Sequence, residues 1–162
     1  MEVERFEPYG ANPPQTMNYN PNLLDYHLEL KINSLNFKYI SPSSYLPKIS
    51  LQILELSEIE HNYLGDADGY CSLWCIFWID IRLKFPDIPR NKLIYLLKKE
   101  ITNSDYGYKK LIRNYSKNIT DIRDNILKKI DLNINEWLND NVSEIQINKL
   151  NILVKEEINK II

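Results

Sequence analysis

The 162-residue chain has little of what disulfide-stabilised, secreted or membrane-spanning proteins rely on. It contains two cysteines, and their spacing of four positions does not form a disulfide framework. No apolar run approaches the roughly 20 residues that a membrane span needs. The first residues carry neither the basic nor the apolar segment of a secretory signal peptide. We therefore expect an intracellular protein that is not secreted and does not enter a membrane.

The sequence also has few small residues, with four glycines and two alanines against 23 isoleucines and 19 asparagines. This bias is typical of an AT-rich coding genome. The net charge of −2 is uneven, because residues 1–81 are acidic and residues 82–162 are basic. With 44% hydrophobic and 26% charged residues, the chain has the composition of a globular protein. Its length favours one domain that covers residues 1–162.

Strand patterns precede helical patterns along the chain, which predicts an α+β fold. Short segments at about residues 2–6, 36–40 and 49–55 alternate polar and apolar side chains and predict a small sheet. Residues 71–85 are apolar on nearly every side, so we expect a central, buried helix there. The remainder, residues 90–162, predicts a helical extension packed on residues 1–85, with helices over 91–102, 107–115, 119–130 and 143–161.

Cys71 follows a glycine-rich turn and begins the apolar helix. The free amides at a helix N-terminus stabilise an anion, so a thiol placed there is a candidate nucleophile. The alternative is that Cys71 is a small buried hydrophobic residue. The two interpretations have equal support from the sequence, whereas Cys75, one turn deeper, fits the second.

No residue pattern in the sequence predicts a cofactor or a metal site. His61, Asp66, Asp68 and Cys71 fall close together, but their spacing matches no common zinc site and lacks the closing glutamate of a calcium loop. The other histidine, His27, lies on an apolar helical stripe. Neither histidine is marked by the sequence as a general base for a cysteine nucleophile.

Two segments resemble a known family. Arg5-Phe6-Glu7-Pro8-Tyr9-Gly10 resembles the acid-bearing strand end of the adenovirus-type endopeptidases, and Cys71-Ser72-Leu73-Trp74-Cys75 resembles their nucleophile helix. That superfamily includes the SUMO-specific proteases and related proteins of large DNA viruses. The resemblance covers about the first 85 residues. It implies that Glu7 orients a catalytic histidine, that Cys71 is the nucleophile, and that the substrate is a peptide or isopeptide.

The family's histidine lies upstream of the acid, and this chain has only six residues before Glu7. We therefore expect a truncated or degenerate cysteine-protease-like viral protein that is inactive or nearly so, located in the host cytoplasm or the virion. Such a fold implies a protein or peptide partner, including a ubiquitin-like tail. The Glu2–Phe6 strand, without its neighbour, would leave an edge available for self-association.

Two other interpretations stay open. The first is a non-enzymatic interaction module that uses the helical C-terminal half, where an apolar stripe recurs at helical spacing: Ile147, Leu150, Val154, Ile158 and Ile161. The stripe either docks on the protein's own core or pairs with a partner helix. The second is nucleic-acid binding, which no motif supports and which would use Lys98, Lys99, Lys109, Lys110, Arg113 and Lys117.

Overall fold

The computed structural model of the protein describes residues 1–13, 19–58 and 70–159. These residues are almost entirely helical, with seven α-helices and two three-residue strands. In chain order the elements are β1 (Glu2–Glu4), α1 (Pro21–Ser34), β2 (Lys38–Ile40), a single 3₁₀ turn (Pro42–Ser44), α2 (Leu51–Leu56), α3 (Cys71–Lys84), α4 (Arg90–Asn103), α5 (Gly107–Lys128), α6 (Ile134–Leu138) and α7 (Glu144–Asn159).

The predicted α+β class is wrong, because the sheet in the described residues contains only β1 and β2. These strands lie within the predicted segments 2–6 and 36–40, and they pair in parallel with Val3 opposite Tyr39. Parallel strands need a crossover, and α1 provides it. The sheet is too small to form a layer of its own, so helices supply the core.

The third predicted strand, 49–55, is the helix α2 instead. Its buried side chains are Leu51, Gln52 and Glu55, which share one face at helical spacing. The backbone amide of Gln52 donates to the carbonyl of Pro8, so the helix start is attached to the segment after β1. A six-residue apolar run does not distinguish a strand from a helix by periodicity alone, which explains the error.

The helix α3 lies where it was predicted, but it is buried on one side only. Trp74, Phe77 and Trp78 enter the main core, where Trp78 stacks on Phe6 with ring centroids 5.1 Å apart. This core also receives side chains from α2, α4 and α5: Leu51, Leu93, Ile94, Ile101, Tyr108 and Ile112. Residues 1–85 and 90–162 therefore contribute to one shared core.

The C-terminal half is helical as predicted, with two differences: two of the predicted helices are joined, and the short helix α6 was not predicted. The segments 107–115 and 119–130 form a single helix, α5, because no residue between them interrupts the apolar periodicity. At its C-terminal end, Leu127, Ile130 and Leu132 form a second, smaller core against which α7 packs through Leu150 and Leu153. That residues 1–162 form one domain, which includes both cores, stays a prediction.

Candidate functional site

Glu7 lies just after β1 and is buried, with 8% of its surface exposed. Its carboxylate accepts a hydrogen bond from the Tyr19 hydroxyl at 2.6 Å and pairs with the Arg5 guanidinium at 3.2 Å. Arg5 in turn pairs with Asp25 at 2.7 Å. The acid is thus held in a network that links β1 to α1, and this network satisfies the charge of Glu7 without any further group.

Cys71 is the first residue of α3, and Cys75 lies one turn later; both side chains are partly buried and both thiols are free. Burial raises the pKa of the Cys75 thiol to about 11, and the nearby Glu7 carboxylate and Cys71 thiol add to the effect. Cys75 is therefore a neutral thiol near pH 7, in agreement with its predicted role as a buried hydrophobic residue.

The structure brings Glu7 and Cys71 to the same neighbourhood. Both groups act on the Tyr9 hydroxyl, whose pKa is raised first by burial and then by the charges of Cys71 and Glu7. This proximity does not test whether Cys71 and Glu7 are catalytic, so their assignment stays a prediction. Proximity alone does not define a reaction, since a nucleophile also needs a base.

Only one of the two histidines lies in the described residues. His27 lies on the exposed side of α1, where its ring contacts the adjacent Tyr26 edge-on at 5.5 Å. The apolar stripe predicted for α1 faces solvent, and no residue of the helix is fully buried. His61, Asp66 and Asp68, considered above as metal ligands, lie outside the described residues.

An apolar face of α3 is exposed, which the sequence analysis missed. Ile76, Ile79 and Leu83 have 49%, 57% and 61% of their surfaces exposed. Ile79 and Leu83 border a groove of about 570 Å³ between α3 and β1. The signal in the sequence was the pair Asp80 and Lys84, an ion pair at 3.1 Å whose spacing marks a solvent-facing side of the helix.

The stripe on α7 divides into two parts. Leu150 docks on the smaller core, whereas Ile147, Val154 and Ile158 are 45%, 39% and 48% exposed. These three positions follow one another at helical spacing along the side of the helix next to the docked face. The structure therefore leaves most of the predicted stripe accessible to a partner; Ile161 lies outside the described residues.

The lysines and arginine considered for nucleic acid are not all accessible. Lys109 is 8% exposed and turns toward α2, where its ammonium reaches the Glu58 carbonyl at 3.5 Å. Lys98 donates to the carbonyl of Ile49 at 3.2 Å. Lys110 lies over the ring of Tyr106 at 4.5 Å. Two of these cations are thus engaged with the protein's own backbone, which reduces what is left for phosphate groups.

One curated protein resembles this chain strongly. It is 44% identical over 151 residues, which cover 87% of this chain, and its name describes it as an ankyrin repeat protein of Acanthamoeba polyphaga mimivirus. The chain spans about a fifth (20%) of that relative's length. No family model matches the chain, and no solved structure matches it.

The predicted kinship with cysteine proteases is wrong. The strongly similar relative is named for ankyrin repeats, and no protease family matches. The predicted three-strand sheet on a central buried helix is also replaced by a helical fold with a two-strand sheet. The two short motifs around Glu7 and Cys71 suggested the kinship. They contain few residues, and the rest of the fold differs from the one that the resemblance implied.

Proposed function

We propose that the chain is a protein-interaction module, and that the exposed stripe Ile147, Val154 and Ile158 of α7 receives an amphipathic helix of a partner protein. The proposal rests on one observation: the stripe is apolar and exposed, and Leu150 and Leu153 on the neighbouring side of the same helix anchor it to the smaller core. A helix fixed in place presents its side chains without the entropy cost of ordering it on binding.

The relative supports the same class of function. Its name describes an ankyrin repeat protein, and stacked repeats of that kind form extended binding surfaces. A chain that matches a fifth of such a protein fits a module within a binding protein better than an isolated enzyme. The ubiquitin-like tail depended on the protease resemblance and is no part of the proposal.

None of the described helices is long and apolar enough to cross a membrane. We infer a protein partner for the stripe on α7 from the spacing of its apolar residues. The spacing of its residues corresponds to the positions through which an amphipathic helix lies in a groove or pairs with a second helix.

Affinity capture with matched variants tests the proposal. The variant Val154→Asp/Ile158→Asp puts charges on the stripe, whereas Ile152→Asp puts one on the opposite side, where Ile152 is 59% exposed. Proteins captured from cells that naturally express the chain are identified by mass spectrometry. We expect a defined partner to be lost with the double variant and retained with Ile152→Asp and with Cys71→Ala.

Equal capture by the wild type and the double variant would refute a role for the stripe. Loss with Cys71→Ala alone would refute it as well, because it would move binding to the start of α3. Leu150 is unsuitable for this test because it belongs to the smaller core, and a charge there would detach α7.

A further inference from the structure

The strand β1 has one unpaired edge. The carbonyl of Met1 and the amide of Arg5 form hydrogen bonds with β2, so the odd-numbered residues direct their backbone groups toward β2. Glu2 and Glu4 direct their backbone amides and carbonyls to the opposite edge of β1. Among the described residues, no hydrogen bond is made by the backbone amide or carbonyl of Glu2 or Glu4. An edge of this kind accepts another strand.

The unpaired edge lies beside the exposed apolar face of α3. The groove of about 570 Å³ is lined on one side by Glu2 and Glu4 and on the other by Ile79 and Leu83. A strand added to β1 would pass directly over these two apolar side chains. Backbone pairing and apolar burial would then occur in one contact.

The charged side chains around the groove balance each other. Arg90 pairs with Glu2 at 2.8 Å and also with Glu4. Arg82 lies 3.6 Å from Glu4. Two carboxylates thus face two guanidinium groups, so the surface carries no excess charge that would repel an identical surface.

We propose that this edge and the neighbouring face of α3 form an interface with a second copy of the chain. An antiparallel β1 pair with Val3 on the two-fold axis places Glu2 opposite Glu4 of the second copy. In that register each such pair exchanges both of its amide-to-carbonyl bonds, so every outward group of Glu2 and Glu4 is satisfied. The contact is self-complementary, as a symmetric dimer requires.

The same symmetry brings the α3 helices together, with Ile79 and Leu83 of each copy buried at the interface. This surface is separate from the stripe on α7, so the dimer goes beyond the proposed function and neither depends on the other. This interface joins the sheets of two copies into one sheet of four strands, which covers the open edge of β1 in each copy.

Cysteine cross-linking tests the register. Val3 of one copy faces Val3 of the other in a pair without hydrogen bonds, where the Cα atoms are about 4.5 Å apart. This separation lies within the range of about 4.4–6.8 Å that a disulfide spans. In a Cys71→Ser/Cys75→Ser background, Val3→Cys should oxidise to a covalent dimer of twice the 19.3 kDa chain mass.

The matched control is Leu35→Cys, at a position that is 52% exposed and lies outside both strands, whereas Val3 is only partly exposed. Random collisions would cross-link the more exposed position at least as fast. We expect at least a tenfold faster cross-link at position 3. Equal rates, or faster cross-linking at position 35, would overturn the proposal.

Sedimentation of the unmodified chain gives an independent measurement. We expect a monomer–dimer equilibrium that shifts to monomer in Ile79→Asp/Leu83→Asp and is unchanged in Leu30→Asp, which charges the 54%-exposed Leu30 of α1. Helical circular dichroism verifies that each variant is folded. A wild type that stays monomeric at about 1 mM, where even an interface with a Kd of that size is substantially assembled, would contradict the dimer.

Discussion

The indole N–H of Trp78 donates to the carboxylate of Glu4 at 2.8 Å, a contact between residues 74 positions apart that joins β1 to α3. The same carboxylate pairs with Arg82 and Arg90. Since Trp78 also stacks on Phe6, the short strand is fixed to the main core by both polar and aromatic contacts. These contacts explain how a strand of three residues persists in a helical protein.

Glu4→Ala should lower the free energy of unfolding by about 1–3 kcal/mol, because the Trp78 indole loses its acceptor and the guanidinium groups of Arg82 and Arg90 each lose one partner. Glu4→Gln should cost less, since its amide oxygen still accepts from Trp78. Urea unfolding at neutral pH measures both, with the exposed Glu156→Ala as control. Equal losses in the alanine and glutamine variants would show that the hydrogen bond from Trp78 contributes nothing.

Trp78→Ala should be far more costly, by about 3–5 kcal/mol, because Trp78 is 1% exposed and two aromatic rings stack on it. Trp137→Ala is the matched control: Trp137 is 41% exposed, and we expect a change within about 0.5 kcal/mol. Thermal unfolding followed by circular dichroism compares the two. Similar shifts in the melting temperature would contradict the placement of Trp78 in the core.

Glu55 makes stability depend on pH. Burial raises the pKa of its carboxyl group, which outweighs the favourable contacts with Lys109 and with the Gln52 amide. Because the folded pKa lies above the unfolded one, the contribution of Glu55 is complete below the unfolded pKa and is lost as pH rises through the folded pKa. Glu55→Gln, which stays neutral, should therefore stabilise the protein at pH 7 relative to the wild type.

The control for this prediction is the same substitution at the exposed Glu156 of α7. Unfolding free energies are measured from pH 4 to pH 8 for the wild type and for both variants. We expect the stabilisation by Glu55→Gln to grow over this range and to vanish at its acidic end. A Glu55→Gln protein that is less stable than the wild type at pH 7 would show that the electrostatic attraction of Lys109 outweighs the cost of burial.

Cys75 should react slowly with iodoacetamide at neutral pH. Burial raises the pKa of its thiol to about 11, and only the thiolate attacks the reagent. In Cys71→Ser, which leaves a single cysteine, the alkylation rate should keep rising above pH 9. A rate that levels off near pH 8.5 would mean that the Cys75 thiol is not perturbed.

The sequence predicts the helices well where their periodicity is long. Each of α3, α4 and α7 lies within one or two residues of its predicted bounds, because apolar side chains recur at helical spacing over fourteen or more residues. The six-residue α2 was taken for a strand because so short a run has no decisive period. The length of a periodic segment thus decides how well its secondary structure can be predicted from the local sequence.

Exposure was harder to predict than secondary structure. Leu23 and Leu30 of α1 and Ile79 of α3 are as apolar as the core residues, yet each is more than half exposed. Composition does not tell which side of an apolar helix meets the core, since that depends on contacts between distant parts of the chain such as Trp78 with Glu4. The two proposed interaction surfaces include exposed sides of this kind on α3 and α7.

Hydrogen exchange of the chain, alone and bound to its captured partner, tests the interaction module most directly. The proposed function predicts that amides of α7 from Ile147 to Ile158 gain protection in the complex, while those at the start of α3 around Cys71 keep their exchange rates. Protection confined to the surroundings of Cys71 and Glu7, with α7 unchanged, would contradict it.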